Sequence, residues 1–490
     1  MERKSSFKVF GFGFSTQHPY KNTDNPKITM QSTFTIILDA IKGKERDYTT
    51  GGLNQALIIL AIPMVIEMFM ESLFALVDIF FVSRVGVDAV TTIGLTEAVL
   101  TLIYSVAIGC SSGATALVAR RIGEKNPEAA SFTAFQGLMV GVGFGIVTGI
   151  IGIFMAEDIL RLMGASPAVI ATGVNFVRIM LGSNVVILLL FLLNGVFRGA
   201  GDPAIAMRTL LIANGLNIIL DPIFIFGLGP IPAFGVTGAA IATTTGRSIG
   251  VMYQLYNLFW GKGAIQIGRK LIKIDWGIIR KLIEVSISGA FQFLIASASW
   301  IFLMRIISRF GSQSVAGYTI AIRVIIFALL PSWGLANAAA TLVGQNLGAK
   351  QPDRAEQSAW RAGYFNTLFL LVVSALCIAF APLIMTFFTD KPQVIKIGIM
   401  TLRVLSLGNV MYAYGMVISQ AFNGAGDTRT PMIVNFICFW LIEIPLGYFL
   451  AITLDWQVMG ICIAVPASES LLALILIVIF KRGKWKQIAV

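Results

Sequence analysis

The feature that most constrains this chain is a repeat at a fixed offset. Val196–Met207 reads VFRGAGDPAIAM and Ala421–Met432 reads AFNGAGDTRTPM, so Gly199, Gly201 and Asp202 fall on Gly424, Gly426 and Asp427, 225 residues on. The same offset carries Ser83-Arg84 and Gly86 onto Ser308-Arg309 and Gly311, Leu117-Val118 and Gly123 onto Leu342-Val343 and Gly348, and Arg178 and Asn184 onto Arg403 and Asn409. Chance turn chemistry does not hold register over such a length, so the chain is two copies of one half. In an apolar chain, duplicated halves imply a transporter-like architecture with its site between them.

The chain is that apolar: 56% of its 490 residues are hydrophobic and 13% charged, with a mean hydropathy of +0.82. Soluble domains carry about 25% charged residues, so the composition predicts an all-α polytopic membrane protein. Twelve apolar spans are expected near 56–82, 90–118, 131–156, 168–197, 203–228, 233–260, 277–307, 315–345, 357–386, 395–421, 430–453 and 457–480. The net charge of +12 is sorted by loop: about 27 Lys/Arg lie in the tails and even-numbered loops against about 5 in the odd-numbered ones. That asymmetry predicts both termini in the cytoplasm and accounts for the basicity without nucleic acid. Cys110, Cys377, Cys438 and Cys462 all fall within spans, as small packing residues without disulfide or zinc spacing. The one histidine, His18, lies in the polar tail, so no histidine relays protons within a span.

The expected organisation is a polar, flexible N-terminal tail (1–52), an N-lobe (53–260), a basic linker (261–277), a C-lobe (278–480) and a basic C-terminal tail (481–490). Each lobe holds six spans, an even number, so both copies share one topology and enclose a central cavity between two pseudo-symmetric lobes. The GAGD repeats follow spans four and ten and read as tight turns with a capping aspartate, or as a hinge. Gly141, Gly143 and Gly145 have no strand context and read as helix packing. No phosphate-binding loop G-x-x-x-x-G-K-[ST] occurs.

Carboxylates at membrane depth are functional candidates. Asp78 sits in LFALVDIFFVS with Leu303 as its repeat equivalent; Asp221 sits in NGLNIILDPIFIFG with Leu446 as its equivalent. The duplicated fold therefore needs neither acid. Asn217 lies one turn before Asp221 on the same face, and Pro222 removes a backbone donor beside it. Two carboxylates and an amide make Asp78, Asn217 and Asp221 a candidate site for one proton or one Na⁺. Glu67 and Glu71 lie below Asp78, within roughly 20–40° in azimuth, so the three acids form one stripe. That stripe reads either as a wet cavity attractive to cations or as partners for an arginine such as Arg178 or Arg247. Met64, Met68, Met70 and Phe74 surround it, a wall able to repack around dissimilar ligands. Pro63 beneath is a candidate pivot. Glu443 is a second-half candidate, and the repeated Arg178 and Arg403 read as structural.

Pro63 with Val77-Asp78, LNGVFRGAGDP at 193–203, NIILDPIF at 217–224 and FNGAGDTRTPM at 422–432 together resemble the multidrug and toxic compound extrusion (MATE) family, over nearly all of residues 53–480. The resemblance implies a V-shaped pair of six-helix lobes and an inner-membrane antiporter that exports cationic or amphipathic compounds against H⁺ or Na⁺, without a cofactor; two lobes in one chain make a monomer self-sufficient. The chain looks most like the DinF-like branch, whose N-lobe polar network maps onto Asp78, Asn194, Asn217 and Asp221, with Thr243 as the threonine. The NorM-like branch has acids in spans seven and ten, where this chain has Gln292 and a run (404–421) with no carboxylate. The resemblance thus implies coupling at Asp78, Asn194, Asn217, Asp221 and Thr243, while the stripe and its surroundings make Met64, Glu67, Met68, Glu71 and Phe74, with Gln292, the cavity candidates. The rival readings are a lipid-linked oligosaccharide flippase, which would want a strongly charged cavity; a membrane enzyme, for which no HExxH or GxSxG motif exists; and a passive channel.

Overall fold

The computed structural model describes residues 30–43, 47–82 and 84–488. The helices are α1 (Met30–Lys42), α2 (Leu53–Val82), α3 (Val87–Gly123), α4 (Pro127–Leu162), α5 (Pro167–Gly182), α6 (Asn184–Ala200), α7 (Pro203–Phe226) and α8 (Val236–Trp260) in the first half. The second half holds α9 (Trp276–Ile307), α10 (Ser312–Gly348), α11 (Pro352–Phe388), α12 (Pro392–Ala425), α13 (Arg429–Asn435), α14 (Ile444–Tyr448) and α15 (Gln457–Lys481). Proline opens α4, α5, α7, α11 and α12, where its missing N–H has no partner to lose. The GAGD turns close α6 and α12 with left-handed glycines, Gly201 at φ 86° and Gly426 at φ 88°, conformations in which a side chain would strain.

Ten helices or helix runs are long and apolar enough to cross a bilayer among the described residues, and the α5–α6 pair, bent by 41°, makes an eleventh. The twelfth is α8, less apolar because it carries Thr243, Thr244, Thr245 and Arg247. Two expectations change. The tail is not uniformly irregular: α1 packs on α2 through Ala40 and on α7, where Arg208 donates to the Ile41 carbonyl at 3.0 Å. His18 lies outside the described residues. Span eleven is not one α-helix: π-helical stretches at Phe436–Glu443 and Phe449–Thr453 flank α14. Pro222, whose ring removes a backbone donor, lies inside α7, which continues to Phe226.

The two lobes are joined at the face that carries the chain termini. The outer end of α3 approaches α10 so closely that a Cβ on Gly123 would run into the Gln345 carbonyl, and one on Gly348 into that of Arg120. Gly123 and Gly348 are repeat equivalents, as are Arg120 and Gln345, so the joint obeys a two-fold relation. Its side chains cross in both directions, one residue out of register: Gln345 Nε2 donates to Gly199 O at 3.0 Å and Arg120 Nη2 to Ala425 O at 3.3 Å. Further along, α2 leaves its own lobe to pack Leu57, Leu60 and Met64 on Ala336, Ala339 and Leu342 of α10, while Leu117 of α3 packs on Leu282 and Val285 of α9. Gly334 meets the Met64 carbonyl, immediately after Pro63. The repeated arginines are structural, Arg178 donating to Ile153 O and Arg403 to Ile378 O, both at 3.3 Å. Of the GxGxG run, Gly141 and Gly145 pack on α6, while Gly143 faces open space.

A strap closes the same face. Arg354 of α11 donates to the carbonyls of Tyr48 and Thr50, Lys125 pairs with Asp47 at 2.7 Å, and Arg120 reaches Ile488 O at 2.9 Å. Burial opposes the Asp47 carboxylate, but Lys125 and the Thr49 donors outweigh it and hold its pKa at about 2. A depressed acid contributes above its ordinary value of 3.8 and loses that contribution as pH falls through about 2. Asp47→Asn is therefore expected to remove the acid-induced rise in proteolysis of the segment around Thr49, whereas an unchanged rise would place the acid sensitivity elsewhere. For the joint itself, Gly123→Leu with Gly348→Leu should force α3 and α10 apart. A cysteine replacing Gln420 on the cavity wall would then be labelled faster by an impermeant thiol reagent from the termini face; an unchanged rate would contradict the assignment.

Candidate functional site

Three polar groupings lie within the helices. The first is built by α7 and α8. One helical turn separates Asn217 and Asp221, and Asn217 Nδ2 donates to Asp221 Oδ1 at 3.1 Å and to Thr243 Oγ1 at 3.2 Å. All three residues are buried. Asp78, on the far half of α2, lies within electrostatic range of Asp221. Asp78 Oδ1, Asn217 Oδ1 and Asp221 Oδ2 are buried acceptors with no hydrogen-bond donor. Unanswered acceptors at membrane depth are costly, and an all-oxygen set of this kind fits a proton or Na⁺. No cluster of three or more His, Cys, Asp or Glu suited to a metal occurs among the described residues, so the amide and hydroxyl are needed to complete such a set.

The second grouping surrounds Arg247, which the sequence offered only as a partner for the acidic stripe. Its guanidinium donates to the Tyr104 hydroxyl at 3.0 Å, lies 3.6 Å from Glu71 Oε1 and stands 4.8 Å over the Phe74 ring. It is also within electrostatic range of Asp78. The stripe is thus an arginine-paired set in part: Glu71 and Phe74 hold Arg247 and do not line the central cavity.

The third grouping faces the cavity. Glu67 Oε1 accepts from Asn194 Nδ2 at 3.0 Å and from Arg198 Nη1 at 3.5 Å; Gln254 donates to Asn194 Oδ1 at 2.6 Å, and Arg198 to Ser111 Oγ at 2.7 Å. Asn194 therefore bonds Glu67 and Gln254 rather than any of the other four residues it was grouped with. The rotation of α6 decides this, and spacing along one helix does not reveal it. The cavity, about 220 Å³, lies between the lobes and is lined by Glu67, Met68 and Arg198 on one side and Gln292 and Glu469 on the other. Phe293, Trp300, Trp333, Tyr412 and Phe439 form its aromatic wall. Gln292 exchanges hydrogen bonds with Asn423, at 3.2 and 3.3 Å. Met64, by contrast, is fully buried in the α2–α10 contact. Glu469 was missed: it sits mid-span in VPASES, and its exposure to the cavity depends on how α15 packs on α12.

Two duplicated six-helix lobes around a polar and aromatic cavity define a membrane transporter of the two-lobed alternating-access class. The MatE family model matches residues 63–223 and 289–449, once on each half. The chain belongs to the MATE family, a family of transporters rather than enzymes. It is 25% identical over 440 residues to a probable multidrug resistance protein NorM of Thermotoga maritima, covering 89% of this chain and 94% of the relative. It is 25% identical over 430 residues to the probable multidrug resistance protein YoeA of Bacillus subtilis, covering 87% and 93%. A crystal structure described as MATE in the straight conformation superposes with a TM-score of 0.84 at 26% identity, over 90% of this chain and 98% of that one.

The burial of Glu67 against Arg198 generates a prediction. Arg198→Met strands a carboxylate that is 1% exposed, and breaking such a buried pair costs about 3–5 kcal/mol. The single variant is expected to melt well below wild type by fluorescence-detected size exclusion, and Glu67→Gln added to it should recover much of the loss. Equal melting of single and double variants would refute the pairing.

Proposed function

We propose that this protein is a secondary active efflux antiporter that exports cationic or amphipathic compounds in exchange for H⁺ or Na⁺ by alternating access. Membership of a transporter family and relatives named as multidrug resistance proteins support the export half. The single observation that carries the coupling half is the set of unanswered acceptors on Asp78, Asn217 and Asp221. Asp78, Asn217 and Asp221 would hold the coupling ion, with Thr243 fixing the Asn217 amide; this residue set supports a DinF-like rather than a NorM-like arrangement.

With α3 and α10 locked at the termini face, the state described is one in which the cavity is shut off from that face. The lower half of α2 is held by the C-lobe and its upper half by α7, with Pro63 and Met64 at the transfer point. A change of charge at Asp78 alters how the upper half packs on α7 and on Arg247, and α2 transmits the change to the cavity through Glu67 and Met68. Lower affinity for the substrate follows, and it leaves at the far face. Asp78 and Asp221 then discharge the ion as the lobes rock, so ion and substrate are thermodynamically linked. Positive charge on the termini face supports placing that face in the cytoplasm of an inner, or plasma, membrane. The paired lobes supply a whole cavity from one chain, which supports a monomer. A lipid-linked oligosaccharide flippase is less well supported, because the one arginine lining the cavity, Arg198, is already engaged by Glu67.

The test is ethidium efflux from reconstituted vesicles under an imposed pH or Na⁺ gradient. Uphill efflux is expected under one of the two gradients, with Asp78→Asn and Asp221→Asn each reducing it at least tenfold. Full uphill efflux in Asp78→Asn at equal protein would overturn the coupling assignment.

A further inference from the structure

We infer that the C-lobe carries a proton-holding site of its own, formed by Glu443 and Glu469, which opens onto the substrate cavity. Glu443 ends the π-helical stretch Phe436–Glu443, two residues before Pro445, which has no N–H to close an ordinary turn. Such π segments recur at functional sites. Glu443 is 2% exposed, and its Oε2 accepts from Ser468 Oγ at 2.6 Å. The next residue along α15 is Glu469, which lines the cavity and has neither a hydrogen bond nor an ion pair among the described residues. The two carboxylates are within electrostatic range of each other.

Neither acid has a basic partner among the described residues. The titratable groups that face the pair are Tyr318 of α10, Tyr412 of α12 and Cys438 in the π stretch. No Lys or Arg stands among them. Tyr318 is 1% exposed and its hydroxyl has no partner, although it lies within electrostatic range of both acids. Its hydroxyl is an unsatisfied, buried donor in the same region of the lobe. The contrast with the other lobe is direct, since Glu67 has Arg198 and Glu71 has Arg247. Two carboxylates sharing an apolar site without a basic partner must hold a cation. Nor does the duplicated fold demand them, for the repeat equivalents of Glu443, Glu469 and Tyr318 are Ile218, Thr244 and Ile93. Each lobe thus carries a pair of acids that the other lacks.

In the empty cavity the pair holds a proton, with Ser468 donating to Glu443. The wall beside Glu469 is Trp300, Trp333, Tyr412 and Phe439, surfaces that attract organic cations. When such a cation enters, Glu469 pairs with it, and the displaced proton passes from the carboxyl group to cavity water. The proton-holding half of this inference is independent of the export reading; only the displacement half rests on it.

Infrared titration of the protein in lipid nanodiscs tests it. Wild type is expected to show a protonated-carboxyl band that persists in Asp78→Asn and is lost in both Glu443→Gln and Glu469→Gln. A merely structural hydrogen bond would give no titrating band. Should Glu443→Gln not fold, Glu469→Gln, at the cavity wall, decides the matter alone. Added ethidium should discharge the same band in wild type and in Asp78→Asn. A band that survives both glutamine substitutions, or one lost in Asp78→Asn alone, would overturn the site. Loss of the band in the glutamine variants with no response to ethidium would keep the proton site and overturn the displacement step.

Discussion

The close approach of α3 and α10 sets everything else. Where Gly123 faces Gln345 and Gly348 faces Arg120, the two backbones leave no room for a side chain, so the lobes are pinned together at one face. From that pin the helices splay, and the space left between them is the cavity. Packed interfaces of this kind are bistable rather than continuously deformable. A pin that either fits or fails suits a cavity that must open to one side at a time.

Symmetry and asymmetry divide the labour. The repeat dictates structure: paired proline starts, paired left-handed glycines, paired arginines on carbonyls 25 residues back, and paired glycine contacts between lobes. The chemistry breaks the repeat. Asp78, Asn217 and Asp221 have Leu303, Ile442 and Leu446 as equivalents, while Glu443 and Glu469 have Ile218 and Thr244. A fold that needs none of these acids carries them at the cost of burying charge, and the cost is offset where a mobile cation completes the site. The arginines on the N-lobe side, Arg198 and Arg247, pair with Glu67 and Glu71, while Asp221 has no basic partner among the described residues.

Much of this was legible before any coordinates. Apolar run length placed most spans, and α7, for example, runs Pro203–Phe226 where 203–228 is expected. Spacing along a single helix also placed Asn217 over Asp221. Relations between helices were less legible, because periodicity fixes which residues share a face and not which neighbour that face meets. So Asn194 went to Glu67, Met64 went into the α2–α10 contact, and Glu71 went to Arg247. Glu469 escaped notice for the same reason. Local departures were hidden as well: α1 lies in a stretch too polar to read as a span, and the π winding near Pro445 follows from packing that composition does not record.

The central claim is that cation loading at Asp78 and Asp221 changes how the lobes open at the far face. Spin labels at Asp88 and Gln313, exposed residues in the first turns of α3 and α10, would report the lobe separation there. In lipid nanodiscs the distance distribution is expected to shift when pH falls or Na⁺ is added, and the shift should vanish in the Asp78→Asn, Asp221→Asn double variant. The same shift in that variant would show that the N-lobe acids do not govern the movement.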